Sequence, residues 1–151
     1  MIPLHFPAYN FKLKTKENKT YIWDEIRKKY VILIPEEWVR QHAIQYLIHN
    51  KGYNPLLMVV ERQFTINGLH KRADIVIFDH DMKPYIIIEC KAPHIKITQS
   101  TFDQIARYNL SLNAQYLMLT NGLQHFYCKM NFRKQTYEFL EDLPGYDQTV
   151  D

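Results

Sequence analysis

The stretch Arg72–Pro93, RADIVIFDHDMKPYIIIECKAP, constrains the fold more than any other part of the chain. Two runs of β-branched and aromatic residues, Ile75–Phe78 and Tyr85–Ile88, flank the polar turn Asp79–Lys83, which is a hairpin signature. Strands this apolar bury both faces, yet Asp74 stands near the start of one, and Glu89 and Lys91 stand at the end of the other. Side chains two apart on a strand share a face, so Glu89 and Lys91 point together while Cys90 points away. Charges in such places are costly to desolvate unless they are paired, solvated or bound to an ion.

The 151 residues suffice for one compact domain with a real core, and 46% hydrophobic content excludes disorder as the main state. The net charge of +3 is compatible with a polyanionic partner without being evidence for one. Cys90 and Cys128 each fall within a predicted strand and are expected to be buried free thiols. No apolar run approaches the roughly 20 residues that span a bilayer. The N-terminal MIPLHFPAYNFKLK lacks the basic-then-apolar order of a secretory signal, so a cytoplasmic location is expected.

Along the chain, Phe6–Leu33 reads as strands with Thr15–Thr20 as a polar turn, and Arg27-Lys28-Lys29 reads as a solvated loop. Pro35-Glu36-Glu37 has the chemistry of a helix start, followed by Val39, Ala43, Tyr46 and Leu47 at helical spacing and closed by Gly52. Leu56–Ile66 reads as a strand, Asn67-Gly68 as a hairpin turn, and Ser100–Leu112 as a helix. Tyr116–Thr120 and His125–Cys128 form a second hairpin around Asn121-Gly122. Phe132–Leu143 reads as a last strand or helical turn, and residues 144–151 as a frayed tail. The fold expected is α/β with a mixed sheet: a strand-rich extension over residues 1–34, then a core over 35–143 in the order helix, three strands, helix, further strands.

Two carboxylates on neighbouring strands repel, and one is hard to ionise unless a cation intervenes. Oxygen ligands of this kind suit Mg²⁺ or Mn²⁺, and a lysine beside them can orient water or offset developing negative charge. A salt bridge from Lys91 to Glu89 or Asp74 explains the same residues structurally, and they alone leave both readings open. The seven histidines have no metal-binding spacing, and none of the four glycines belongs to a phosphate-binding loop.

Asp74 on one strand and Glu89-Cys90-Lys91 on the next resemble the PD-(D/E)xK nuclease motif. IIIECKAP, with RADIVIF upstream and QIARY downstream, resembles the N-terminal nuclease domain of type I restriction enzyme motor subunits, over about Pro35 to Cys128. Ala73 departs from the family's proline, and the chain carries no helicase motor or methyltransferase region. The resemblance implies a restriction-endonuclease-like fold and a Mg²⁺-dependent nuclease acting on DNA, with Mn²⁺ as a substitute. It implies Asp74, Glu89 and the Cys90 carbonyl as metal ligands and Lys91 as the residue that positions water. Glu37 matches the helical acid completing the metal shell, with Glu36 as the competing register. Gln104 matches a helical glutamine that orients the site. Tyr108 would pack beside it or touch the nucleic-acid backbone. Apart from the resemblance, Arg72 is a candidate phosphate contact, with a salt bridge to Glu61 or Asp74 as the competing reading. The rival expectation is a non-catalytic nucleic-acid-binding module or an accessory subunit of a restriction or repair assembly, with a homodimer formed through the N-terminal strands also conceivable.

Overall fold

A computed structural model describes residues 1–146; residues 147–151 of the expected tail lie outside the described residues. The described residues form two sheets and two α-helices. A small sheet holds β1 (Leu13–Lys16), β2 (Lys19–Asp24) and β3 (Lys29–Ile32) in sequential antiparallel order. The helix α1 (Pro35–Gln45) follows and runs on into a wider turn at Tyr46–Asn50. The main sheet takes β4 (Met58–Ile66), β5 (Leu69–Phe78) and β6 (Pro84–Cys90) as an antiparallel meander. After α2 (Gln99–Leu112), β7 (Tyr116–Thr120) pairs parallel with β6, and β8 (His125–Asn131) and β9 (Thr136–Leu140) continue antiparallel.

The expected α/β order and mixed sheet are therefore present. The N-terminal expectation needs correcting, because residues 6–12 form no strand. Pro3 and Pro7 cannot donate to a ladder. The segment is fixed instead by a bond from the His5 N–H to the Gly122 carbonyl and by Phe6 packing beside His42, Tyr46 and His125. The polar turn is also tighter than expected. Only Glu17 and Asn18 turn, both at positive φ, while Thr15 and Thr20 pair across the hairpin. This is the twist-matched two-residue loop of a hairpin. At the other end, residues 144–146 are tied to the body. The Tyr53 hydroxyl donates to the Pro144 carbonyl at 2.6 Å, and the Tyr146 N–H donates to the Lys51 carbonyl at 2.8 Å.

The central strands are buried on both faces because helices cover both. Under α1, Val39, Ala43, Ile44 and Leu47 meet Ile75, Ile77, Ile86 and Ile88. Under α2, Phe102 and Ala106 meet Val76, Ile87, Leu117 and Leu119. Each fully buried aliphatic side chain of this size contributes about 1.5–3 kcal/mol of transfer free energy. Cys90 lies in the first cluster and Cys128 in the second, both as free thiols, as expected. Gly122 sits at φ +85°, a conformation that strains any side-chain-bearing residue, and a Cβ there would also crowd the Leu4 side chain at 2.7 Å. The α1 face thus presses on the sheet ends where Asp74 and Glu89 emerge.

Candidate active site

The ladder between β4 and β5 is regular from Met58↔Ile77 to Val60↔Ile75, and resumes at Arg62↔Ala73. The skipped positions are Glu61 and Asp74. Glu61 takes φ 58°, a left-handed conformation uncommon for a side-chain-bearing residue. Such strain persists where the surroundings over-determine it. The Glu61 carboxylate meets Arg40 at 3.2 Å and Arg27 at 3.7 Å.

The Cys90 N–H donates to Asp74 Oδ2 at 2.7 Å, so the end of β6 fixes one oxygen of the carboxylate. The other oxygen, Oδ1, accepts from the Arg40 guanidinium at 3.3 Å. Glu89, on β6, is buried and accepts a hydrogen bond from the Tyr108 hydroxyl at 3.3 Å. Burial pushes the Glu89 carboxyl well above the usual carboxylate range. The charge of Asp74 and a hydrogen bond to it, which only protonated Glu89 can donate, push it the same way, while Lys91 and Tyr108 oppose them.

Lys91 follows β6 directly, and its N–H donates to the Thr120 carbonyl at 2.8 Å, fixing the backbone against β7. Among the described residues its half-buried ammonium makes no ion pair, although its charge acts on Glu89. The lysine salt bridge that competed with a functional reading is not formed. Cys90 contributes only its backbone to this corner. Its thiol is in the core under α1, and burial, followed by the charge of Asp74, pushes its pKa well up.

The first-helix acid stands differently from expectation. Glu37 is buried, with Oε1 accepting from Arg27 at 2.8 Å and Arg40 at 2.9 Å, and Oε2 from Gln41 at 3.1 Å. It does not meet Asp74 or Glu89, and Arg40 stands between. Glu36 is half-exposed and reaches only Arg40, at 3.3 Å. Gln104 is exposed on α2 and bonds to neither acid, whereas Tyr108, one turn later, does. Arg72 is exposed, 3.9 Å from Glu61. Among the described residues no three acid, histidine or cysteine side chains converge in a manner able to hold a metal ion. The acids that the structure brings together at the strand end are two, Asp74 and Glu89.

Two arginines organise this corner and were not foreseen as functional. Arg40 spans Glu36, Glu37, Glu61 and Asp74, and its Nε is buried with no hydrogen-bond partner. Its spacing of three and four from Glu37 and Glu36 on one helix was a legible signal. Arg27 leaves the solvent expected for the RKK cluster. Its guanidinium bonds Asp24 at 2.7 Å and Glu37 at 2.8 Å, while Lys28 and Lys29 stay exposed. No local pattern separates Arg27 from its two lysine neighbours.

Residues 35–144, well over half of the chain, match the family model described as type I restriction enzyme R protein N terminus (HSDR_N). The chain belongs to this family. Its mixed α/β fold, with a helix, a three-stranded meander, a second helix and further strands, is therefore the fold of a member of this family. Among solved structures, one described as a fragment of an HsdR subunit of a type I restriction enzyme from Vibrio vulnificus is similar at 21% identity and a TM-score of 0.49. The alignment covers 70% of this chain and 22% of that one, so the chain spans under a quarter of that fragment's length. No curated protein matches. No helix among the described residues is long and apolar enough to cross a membrane.

Proposed function

We propose that this R-subunit N-terminal domain is a metal-dependent nuclease that hydrolyses DNA phosphodiester bonds as part of a restriction assembly. The observation that carries the reading is the corner itself. Two carboxylates from adjacent strands are held together, Glu89 is forced toward its neutral form, and the nearby lysine stays unpaired. A structural ion pair would have closed on Lys91. Hard oxygen donors without a thiol in the set fit Mg²⁺, and Mn²⁺ as its substitute.

Asp74 and Glu89 would hold the ion, with the Cys90 carbonyl as the backbone candidate. The chemistry such an ion would supply when bound is a lowered pKa for its water and an offset to charge on the phosphorus. The Cys90 N–H keeps Asp74 in a fixed orientation, and the Tyr108 hydroxyl does the same for Glu89. The Lys91 ammonium is free to align the attacking water or to stabilise the developing charge. Glu37, neutralised by two guanidinium groups, holds Arg40 in place; its part in the site is to position.

A second reading has one observation in its favour: Arg40 already supplies a positive charge to Asp74. On that reading the domain binds nucleic acid without turnover. Cleavage of plasmid and linear DNA by Lys91→Ala separates the two. The nuclease reading predicts a folded variant whose Mg²⁺-dependent cleavage falls by at least about a hundredfold, the scale of losing one preorganised charge-stabilising group. Unchanged cleavage by the variant would refute the role of Lys91. Absence of cleavage by the wild type, with equal DNA affinity with and without Mg²⁺, would favour the binding module.

A further inference from the structure

The β4–β5 hairpin outruns the sheet it belongs to. β5 pairs with β6 only over Ile75–Phe78, and β4 is an edge strand. Residues 61–74 therefore form a two-stranded ribbon that starts at the acid corner and runs away from it. A lone two-stranded hairpin is marginal in water, but three features hold this one. Asn67 and Gly68 turn at φ 51° and 77° in the twist-matched geometry. Phe64 packs half-buried against the core under α2. The Arg62 guanidinium lies 5.9 Å from the ring centres of both Phe64 and Phe78.

Pairing sets Gln63 opposite Arg72 and Thr65 opposite His70. Cross-strand partners share a face, so these four exposed side chains form one polar face that begins two residues from Asp74. Lys71 is exposed on the other face, opposite Phe64. Between Arg62 and Ala73 the chain carries three basic residues and no acid. Charges of either sign would protect a strand edge from pairing, so a ribbon whose charges beyond Glu61 and Asp74 are all basic, and which bears amide, hydroxyl and imidazole groups, has a more specific complement, a polyanion with hydrogen-bonding edges.

We propose that this ribbon lies in the major groove of B-form DNA, with Gln63, Thr65, His70 and Arg72 facing the duplex. Two strands about 4.8 Å apart fit a groove about 12 Å wide, which admits a two-stranded β-ribbon. Five steps from Asp74 to Leu69 extend roughly 17 Å, or about five base-pair rises of ~3.4 Å. The major groove of an RNA duplex is too deep and narrow for such an arm. The proposal rests on the nucleic-acid reading above and is independent of turnover.

The test is fluorescence anisotropy of the full chain, without divalent metal, on a DNA duplex and an RNA duplex of matched sequence. The wild type is expected to bind DNA at least about tenfold more tightly than RNA. The triple variant Gln63→Ala/His70→Ala/Arg72→Ala, and separately Thr65→Glu, are each expected to lose about tenfold or more on DNA alone, the scale of one good base-edge contact. All four positions are exposed, and an unchanged melting temperature checks folding. DNA affinity equal to wild type in both folded variants, or equal binding of the two duplexes by the wild type, would overturn the proposal. With no metal present, a failure of the nuclease reading leaves this result unaffected.

Discussion

At Glu89, burial and the charge of Asp74 both favour the protonated carboxyl, and only Lys91 and the Tyr108 hydroxyl oppose them. A carboxyl whose folded pKa is raised stabilises the fold at low pH and loses that contribution as pH rises through the raised value. At neutral pH, an ionised Glu89 therefore costs stability in the metal-free protein. Glu89→Gln removes the charge, keeps an oxygen for Tyr108 and offers an amide N–H to Asp74. Thermal unfolding at pH 7 without metal is expected to show a higher Tm, by about 2–4 °C per kcal/mol relieved for a domain of this size. The difference should vanish below about pH 4, where the carboxyl is neutral in the unfolded chain as well. A lower Tm at pH 7 would mean that the acid is satisfied as it stands. Asp74, Glu89 and Lys91 were legible in the sequence because each interrupts or ends an apolar strand. Arg40 was only half-legible: its spacing to the two acids of α1 is local, but its bond to Asp74 joins residues 34 apart.

At the scale of elements, the β2–β3 turn is a working part of the corner. Asp24 is fully buried, and it accepts from the Ile26 and Arg27 N–H groups, the Arg27 Nε and the Gln41 amide. Burial raises its pKa, but the hydrogen bonds and charge of Arg27, with Gln41, more than offset this and hold the carboxyl below its ordinary value. A carboxylate with a lowered folded pKa contributes stability above its unfolded value, and that contribution is lost as pH falls through the folded one. Asp24→Asn is expected to lower stability at pH 7 by about 1–3 kcal/mol, the range for leaving a buried charged partner less well satisfied. Urea unfolding measured from pH 7 down to below about pH 4 checks this, since the gap between variant and wild type should narrow at the acid end. A gap independent of pH would assign the loss to packing. The hairpins around Asn67-Gly68 and Asn121-Gly122 were legible from two residues each. The three short N-terminal strands were legible as strands around a polar turn but not in their bounds, because Lys-rich alternation hid where pairing begins and prolines removed the first segment from it.

For the whole molecule, the family match begins at residue 35, yet the segment before it is not an appendage. Leu4, Phe6 and Ile26 pack on the core under α1, and Arg27 reaches Glu37 at the edge of the candidate site. The extension and the matched segment thus share one charge network, running from Asp24 through Arg27, Glu37 and Arg40 to Asp74. That continuity could not be seen in sequence, where its members lie up to 50 residues apart. It also bears on the central claim, because Arg40 and a divalent ion would both draw on the charge of Asp74. The most direct measurement is the anomalous difference map of a crystal soaked in Mn²⁺. A metal site at this corner predicts a peak between the Asp74 and Glu89 carboxylates, lost in the Glu89→Gln variant. No peak at saturating Mn²⁺, with Arg40 still on Asp74 and Glu89 still hydrogen-bonded to it, would contradict the account.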